Sequence, residues 1–89
     1  GDVFAIDDAD GSRRWQFSTE GRVFASPAVV GETLYVASDD GNVYALGTPE
    51  GTERWRFETG GRVRSSPAVA DGAVYVGSND GRVYALVEE

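Results

Sequence analysis

The segment Gly41–Leu46, with the sequence GNVYAL, decides the fold because it recurs at a spacing of 40 residues. GDVFAI begins at Gly1, and GRVYAL begins at Gly81. When residues 1–40 are aligned with residues 41–80 without a gap, 19 of the 40 positions are identical. Self-similarity at a fixed period of this size indicates a repeat protein. The 89 residues therefore form one unit, with repeat 1 over 1–40, repeat 2 over 41–80 and a partial repeat 3 over 81–89.

Each repeat predicts four short strands. In repeat 2 these are VYAL at 43–46, ERWRFET at 53–59, VRSSPAVA at 63–70 and AVYVGS at 73–78. The second segment alternates polar with aromatic residues, so Trp55 and Phe57 point to one face of the strand. Asp71-Gly72 and Asn79-Asp80-Gly81 are hairpin signals between strands. No window shows the 3.6-residue period of a helix, and we expect an all-β chain with nine antiparallel strands.

Repeats of about 40 residues with four strands each are typical of β-propeller blades. A β-sandwich is the alternative, but it does not explain why the same four strands recur at a fixed period. Pro67, which interrupts the third segment, is acceptable in a strand with one open edge, such as the innermost strand of a blade. The prediction is about two propeller blades per chain.

A spaced motif links the sequence to a known family. The pattern A-x5-G-x3-W occurs in both repeats, at Ala5, Gly11 and Trp15 and at Ala45, Gly51 and Trp55. It resembles the tryptophan-docking motif of PQQ-dependent dehydrogenases and BamB-like propellers, as do the strings SSPAV and DGAVYVGS. The resemblance implies the strand order SSPAV, VYVGS, VYAL, WRF from the channel outward, and it favours an extracytoplasmic location. It also implies that each indole lies between adjacent blades, the alternative being that each tryptophan belongs to the core of its own blade.

The composition restricts the chemistry that the chain can perform. The sequence has no cysteine and no histidine, so the commonest metal ligand and acid–base side chain is missing. The net charge is -7, and all eight basic residues are arginine. An acidic surface repels nucleic acid and anionic lipid, so we expect neither nucleic acid binding nor membrane insertion. An acidic, lysine-free composition favours a halophilic source, with a GC-rich genome as the alternative.

No group of residues predicts a catalytic, cofactor-binding or metal-binding site. The segment 7–11, DDADG, has part of a calcium-loop pattern, but Asp and Gly in such a run more often form a turn. The resemblance to PQQ enzymes extends to the fold and not to the cofactor, because the chain has no adjacent cysteine pair. Arg22, Arg62 and Arg64 precede the inner strands and are candidate anion contacts at the rim of the channel.

We therefore expect a non-catalytic structural or interaction module. Two alternatives are a fragment of a PQQ- and calcium-dependent dehydrogenase and a ligand-binding sensor ectodomain. Propellers need about four to eight blades, so the predicted partners are further copies closing a six- or eight-bladed ring, or the remaining blades of a parent chain, with another protein also considered. In such a ring, the segment Ser12–Ser18 of one copy completes the blade that ends at Val87 in another. Asp2–Ile6 and Arg82–Leu86 then compete for one position, and we expect Asp2–Ile6 to be displaced.

Overall fold

The computed structural model describes residues 1–6, 13–23, 26–48, 50–70 and 72–87. Within these ranges the strands are β1 (Asp2–Ile6), β2 (Arg13–Ser18), β3 (Ala28–Val30), β4 (Thr33–Ala37), β5 (Asn42–Gly47), β6 (Thr52–Glu58), β7 (Ala68–Ala70), β8 (Ala73–Gly77) and β9 (Val83–Val87). No helix occurs in this part of the chain, so none is present there that could span a membrane. The all-β prediction is confirmed.

The strands form three separate sheets, and every pairing is antiparallel. Sheet 1 contains β1 and β2, sheet 2 has the order β3-β4-β5-β6, and sheet 3 has the order β7-β8-β9. Sheet 2 is thus a complete four-stranded blade. Its strand order is the one that the family resemblance implies from the channel outward. The strands β3 and β7, which are innermost in that order, contact each other.

The third strand of each repeat is shorter than the sequence pattern predicts. The expected strand covered 63–70, whereas β7 contains only Ala68–Ala70 and begins directly after Pro67. Likewise β3 begins directly after Pro27. Proline has no N–H to donate to a ladder and restricts the residue before it, so pairing starts only beyond the ring.

The core consists of two apolar layers, one on each side of sheet 2. Successive residues of a strand point to opposite faces, so β5 contributes to both layers. Tyr44 and Leu46 face sheet 1, and Val43 and Ala45 face sheet 3. All four of these residues are buried, as expected for a central strand covered on both faces. The surfaces of interest are therefore the two junctions, where sheets 1 and 2 and sheets 2 and 3 meet.

Candidate functional site

At the junction between sheets 1 and 2, the indole of Trp15 lies across the turn that connects β5 to β6. Trp15 Nε1 donates a hydrogen bond to the backbone oxygen of Thr48 at 2.6 Å. A Cβ atom at Gly51 would come within 2.5 Å of Cε3 of Trp15, and Gly51 has a φ of +72°. Glycine is therefore required at this position for two reasons: the backbone has a positive φ, and a side chain would overlap the indole of Trp15. Trp15 belongs to sheet 1 but contacts sheet 2.

At the junction between sheets 2 and 3, Trp55 occupies the corresponding position in its repeat. It packs against the apolar layer that includes Val74, Val76 and Leu86 of sheet 3. Its ring also contacts Tyr35 of sheet 2, with centroids 5.9 Å apart. Trp55 Nε1 is buried and has no hydrogen-bond partner among the described residues. An orphaned buried donor costs free energy, so this site is incomplete in a way that the Trp15 site is not.

The remaining motif residues follow the same register. Ala5 lies opposite Trp15 in the β1–β2 ladder, and Ala45 lies opposite Trp55 in the β5–β6 ladder. Gly11 and the candidate calcium loop at 7–11 lie outside the described residues. In the part of the chain that the structure describes, no group of acidic side chains is arranged to hold a metal ion.

The turns before β5 and β9 hold the sheets together, a role that the sequence interpretation did not assign to them. Asp40 accepts hydrogen bonds from the backbone N–H groups of Glu20 and Asn42 and from the hydroxyl of Tyr44. Glu20 follows sheet 1, so one carboxylate connects two sheets. Asp80 repeats the arrangement and accepts hydrogen bonds from the backbone N–H groups of Gly60 and Arg82 and from the hydroxyl of Tyr84. The available signal was that Asp40 and Asp80 are identical in the two repeats.

Glycine permits the close approach at these turns. A Cβ atom at Gly61 would lie 2.8 Å from the backbone nitrogen of Asp80, and one at Gly21 would collide with the same atom of Asp40. The backbone N–H groups of Asp39 and Asn79 also donate to the carbonyl oxygens of Arg22 and Arg62, both at 2.8 Å. The repeated Gly-Arg-Val string therefore forms part of both junctions.

A pair of aromatic rings repeats below each turn. Phe17 and Tyr44 meet edge to face with centroids 5.2 Å apart, and Phe57 and Tyr84 do the same at 5.3 Å. Burial, together with the hydrogen bond to Asp40, raises the pKa of Tyr44 to about 12. The hydrogen bond to Asp80 raises the pKa of Tyr84 and lowers the pKa of that carboxyl group. The two junctions are thus alike in their turns and aromatic pairs and differ at their tryptophans.

The three arginines predicted at the channel rim lie together around one carboxylate. Arg22, Arg62 and Arg64 line a recess of about 490 Å³ that also includes Gly21 and Asp39. Arg64 donates two hydrogen bonds to Asp39, at 3.0 and 2.9 Å. This bond and the nearby guanidinium groups hold the pKa of Asp39 below its usual value. Three cations and one anion give the recess a local charge opposite to that of the chain.

In the part of the chain that the structure describes, no strand pairs with the outer edge of β9. This edge and strand β6 border a groove of about 570 Å³, lined by Arg54, Trp55, Arg56, Phe57, Ala85, Leu86 and Val87. On the face of sheet 3 that points away from sheet 2, Val83 is 79% exposed and Val87 is 69% exposed. Their counterparts in sheet 2, Val43 and Gly47, are buried.

Comparison with known proteins places this geometry in context. A family model described as outer membrane protein assembly factor BamB matches residues 1–89. The structure of BamB from Moraxella catarrhalis superimposes with a TM-score of 0.84 and 26% identity, covering 98% of this chain and 28% of that one. The chain thus spans about a quarter of the length of this relative. Among curated proteins, none matches the chain significantly.

Two further structures share the fold at lower identity. A europium-containing methanol dehydrogenase has a TM-score of 0.80 and 20% identity, covering 94% of this chain and 19% of that one. The computationally designed protein Ika8 has a TM-score of 0.77 and 14% identity, covering 93% of this chain and 26% of that one. BamB and the dehydrogenase are β-propellers, so the predicted propeller fold is confirmed.

Proposed function

The chain belongs to the family described as outer membrane protein assembly factor BamB, and on that premise we propose that it is a non-catalytic interaction module that joins further propeller blades. Those blades come from other copies of this chain or from the remainder of a parent chain. The family membership confirms the resemblance drawn from the docking motif, and the chain is a fragment of a BamB- or PQQ-like propeller. Its role as an interaction module is our inference from the exposed surfaces.

The observation that carries the proposal is the uncovered face of sheet 3. Tyr75, Val83 and Val87 are exposed on this face. Their counterparts one repeat earlier lie on the face of sheet 2 that sheet 3 covers, where Tyr35 and Val43 are buried. The same sequence pattern therefore has a covering sheet in one case and lacks one in the other. Exposed apolar surface of this kind favours association, because burying it removes apolar area from water.

Light scattering coupled to size-exclusion chromatography tests the proposal over a range of concentrations. We expect the measured mass to rise above that of one chain as the concentration increases. Val83→Glu should keep the chain monomeric, because a carboxylate would have to be buried in the new interface. Val83→Ile is the matched control and should still associate. An unsubstituted chain that stays monomeric at every concentration, with Val83→Glu indistinguishable from it, would contradict association between copies of this chain.

The non-catalytic part of the proposal has its own test. A fragment of a PQQ- and calcium-dependent dehydrogenase would bind PQQ in the presence of Ca²⁺, which a change in quinone absorbance would report. We expect no saturable change and no reduction of an artificial electron acceptor by alcohols. Saturable binding at a ratio of one PQQ per chain would overturn the non-catalytic assignment. A sensor ectodomain would instead show a thermal shift with a small ligand.

The arginine recess favours a second candidate function, the binding of an anionic group such as a carboxylate or phosphate. The support is the convergence of Arg22, Arg62 and Arg64 on one recess at the start of the inner strands. Calorimetric titration with citrate and inorganic phosphate at low ionic strength tests it. Arg62→Ser should weaken binding, whereas Arg82→Ser, outside the recess, should not. Affinity should fall with added salt, because exposed charges are screened. Equal effects of the two substitutions would argue against the site.

A further inference from the structure

Resting on the proposed function, we propose that the free edge of β9 accepts strand β2 from a second copy of this chain, and that β1 of that copy leaves β2 to allow it. The site is the groove beside Trp55, and the occupant is the segment Arg13–Ser18. Sheet 3 thereby becomes a complete four-stranded blade whose outer strand is supplied in trans.

The edge of β9 is suited to this strand because it repeats β5. The residues Val43–Leu46 and Val83–Leu86 have the same sequence, VYAL. In sheet 2, β5 pairs with β4 on one side and β6 on the other. In the described part of sheet 3, β9 pairs with β8 only. The edge that receives β6 in sheet 2 is therefore available in sheet 3, and it borders the open groove.

The orphaned indole points to the same occupant. The turn that precedes β6 completes the Trp15 site: the carbonyl oxygen of Thr48 accepts the hydrogen bond of the indole, and the indole stacks on Gly51. Among the described residues, no turn occupies that place for Trp55, and its Nε1 has no partner there. The corresponding motif glycine of a second copy is Gly11, two residues before β2 in the sequence. A donated β2 therefore arrives with the residue type that the Trp55 site lacks.

Strand β2 is the segment of a second copy most readily released for donation. Among the described residues it pairs with β1 alone, over five residue pairs. By contrast, β6 is part of the four-stranded sheet. The segments that contain β1 and most of β9, GDVFAI and GRVYAL, share glycine, valine and alanine at matching positions. The exchange replaces the antiparallel pair of β1 with β2 by a similar pair of β9 with β2 from the second copy. It also covers the groove beside Trp55. Such an exchange of equivalent elements is an inexpensive route to association.

The register of the exchanged pair follows from the two observed ladders. Ser18 lies opposite Asp2 in the β1–β2 ladder, and Glu58 lies opposite Asn42 in the β5–β6 ladder. In the exchanged pair, Ser18 of the second copy therefore lies opposite Arg82. Residues directly opposite each other have Cβ atoms about 4.5–5.5 Å apart, close enough for a disulfide after small adjustment.

Because the sequence has no cysteine, engineered thiols test this register directly. An Arg82→Cys chain is mixed with a tagged Ser18→Cys chain, so that the mixed dimer has its own mass, and both are oxidised under associating conditions. The control pairs Arg82→Cys with Glu58→Cys, whose strand already occupies its own sheet. All three positions are exposed, so the single substitutions should leave the fold intact. We expect at least about fivefold more mixed dimer with Ser18→Cys than with Glu58→Cys.

Hydrogen exchange on the unmodified chain provides a second measurement. On association, the amides of β9 should gain protection and those of β1 should lose it, by about tenfold or more, since pairing governs exchange. Association with unchanged protection of β1, or equal crosslinking of the two cysteine pairs, would overturn strand exchange while leaving the interaction module in place. A chain that does not associate at all would overturn the association between copies in the proposed function, and strand exchange with it.

Discussion

The two sheet junctions are built from the same repeat, yet one tryptophan site is complete and the other is not. Trp15 donates its N–H to Thr48 and stacks on Gly51. Trp55 is packed in an apolar layer, but its buried N–H has no partner among the described residues. The aromatic pairs and the turn carboxylates are nearly identical at both junctions.

The difference shows which contacts a blade makes by itself and which need a neighbour. The turn network and the ring pairs need only the inner three strands of the next sheet, and sheet 3 has these. The tryptophan site also needs the turn that leads into the fourth strand. Each blade therefore depends on the outer strand of the next blade for its last contact, and an incomplete sheet leaves that contact open.

The largest expected effect comes from removing each indole. Trp15→Ala should lower the free energy of unfolding by about 3–5 kcal/mol, the range for large buried aromatics. Trp55→Ala should cost roughly half as much in the dilute chain, because its site lacks the stacking turn and the hydrogen bond. Urea denaturation at low concentration measures both. Equal losses would mean that the two sites are equivalent and that the comparison between them is wrong.

A smaller effect is expected from filling the space beneath the indole. Gly51→Ala should cost about 2–3 kcal/mol, because the left-handed backbone penalises a side chain by about 1–2 kcal/mol and the Cβ atom displaces Trp15. Gly31→Ala is the matched control: Gly31 has a φ of +58°, but a Cβ there would meet nothing within 4 Å. It should show the backbone penalty alone. Indistinguishable urea midpoints for the two variants would rule out close stacking of Trp15 on Gly51.

The tyrosines should make the chain sensitive to alkali. The pKa of Tyr44 is raised from 10.0 to about 12, so its contribution to stability is present below pH 10 and is lost as the pH rises from 10 to 12. The melting temperature, measured between pH 8 and 12, should decrease as the pH rises from 10 to 12. Tyr44→Phe should flatten the fall more than Tyr84→Phe, because Tyr84 is less buried. A steeper fall in the Tyr44→Phe variant would contradict the role given to that phenol.

The smallest effect is expected from removing the ion pair between Arg64 and Asp39. The residue equivalent to Asp39 in repeat 2 is Asn79, which is uncharged and cannot form such a pair. Arg64→Ser should leave the urea midpoint near pH 7 almost unchanged, because the Arg64 side chain is about half exposed and ion pairs of exposed side chains contribute little. The lowered pKa of Asp39 means that the pair stabilises the chain above pH 3.8 and that this contribution is lost as the pH falls below it. Acid titration monitored by circular dichroism checks the sign. A variant that is more resistant to acid than the parent chain would contradict it.

Much of the fold follows from local patterns in the sequence. Alternation in 53–59 predicts that Trp55 and Phe57 share one face of the strand, and both contact sheet 3; the turn glycines predict where strands end. The third strand was predicted too long, because its pattern continues through Pro67 although the ladder does not. The convergence of Arg22, Arg62 and Arg64 could be anticipated only in outline, from their shared position before the inner strands. The junction role of Asp40 was not anticipated, because a turn signal does not reveal which neighbouring strand the carboxylate meets.

The sequence by itself determined the 40-residue period, the all-β class and the alternating faces of the strands, since these depend on residues close together along the chain. Only the tertiary structure decided that Trp15 reaches Thr48, a residue 33 positions away, while Trp55 Nε1 remains without a partner. The two tryptophans have the same local motif, so no local pattern distinguishes them. They differ because sheet 2 has an outer strand and the described part of sheet 3 has none.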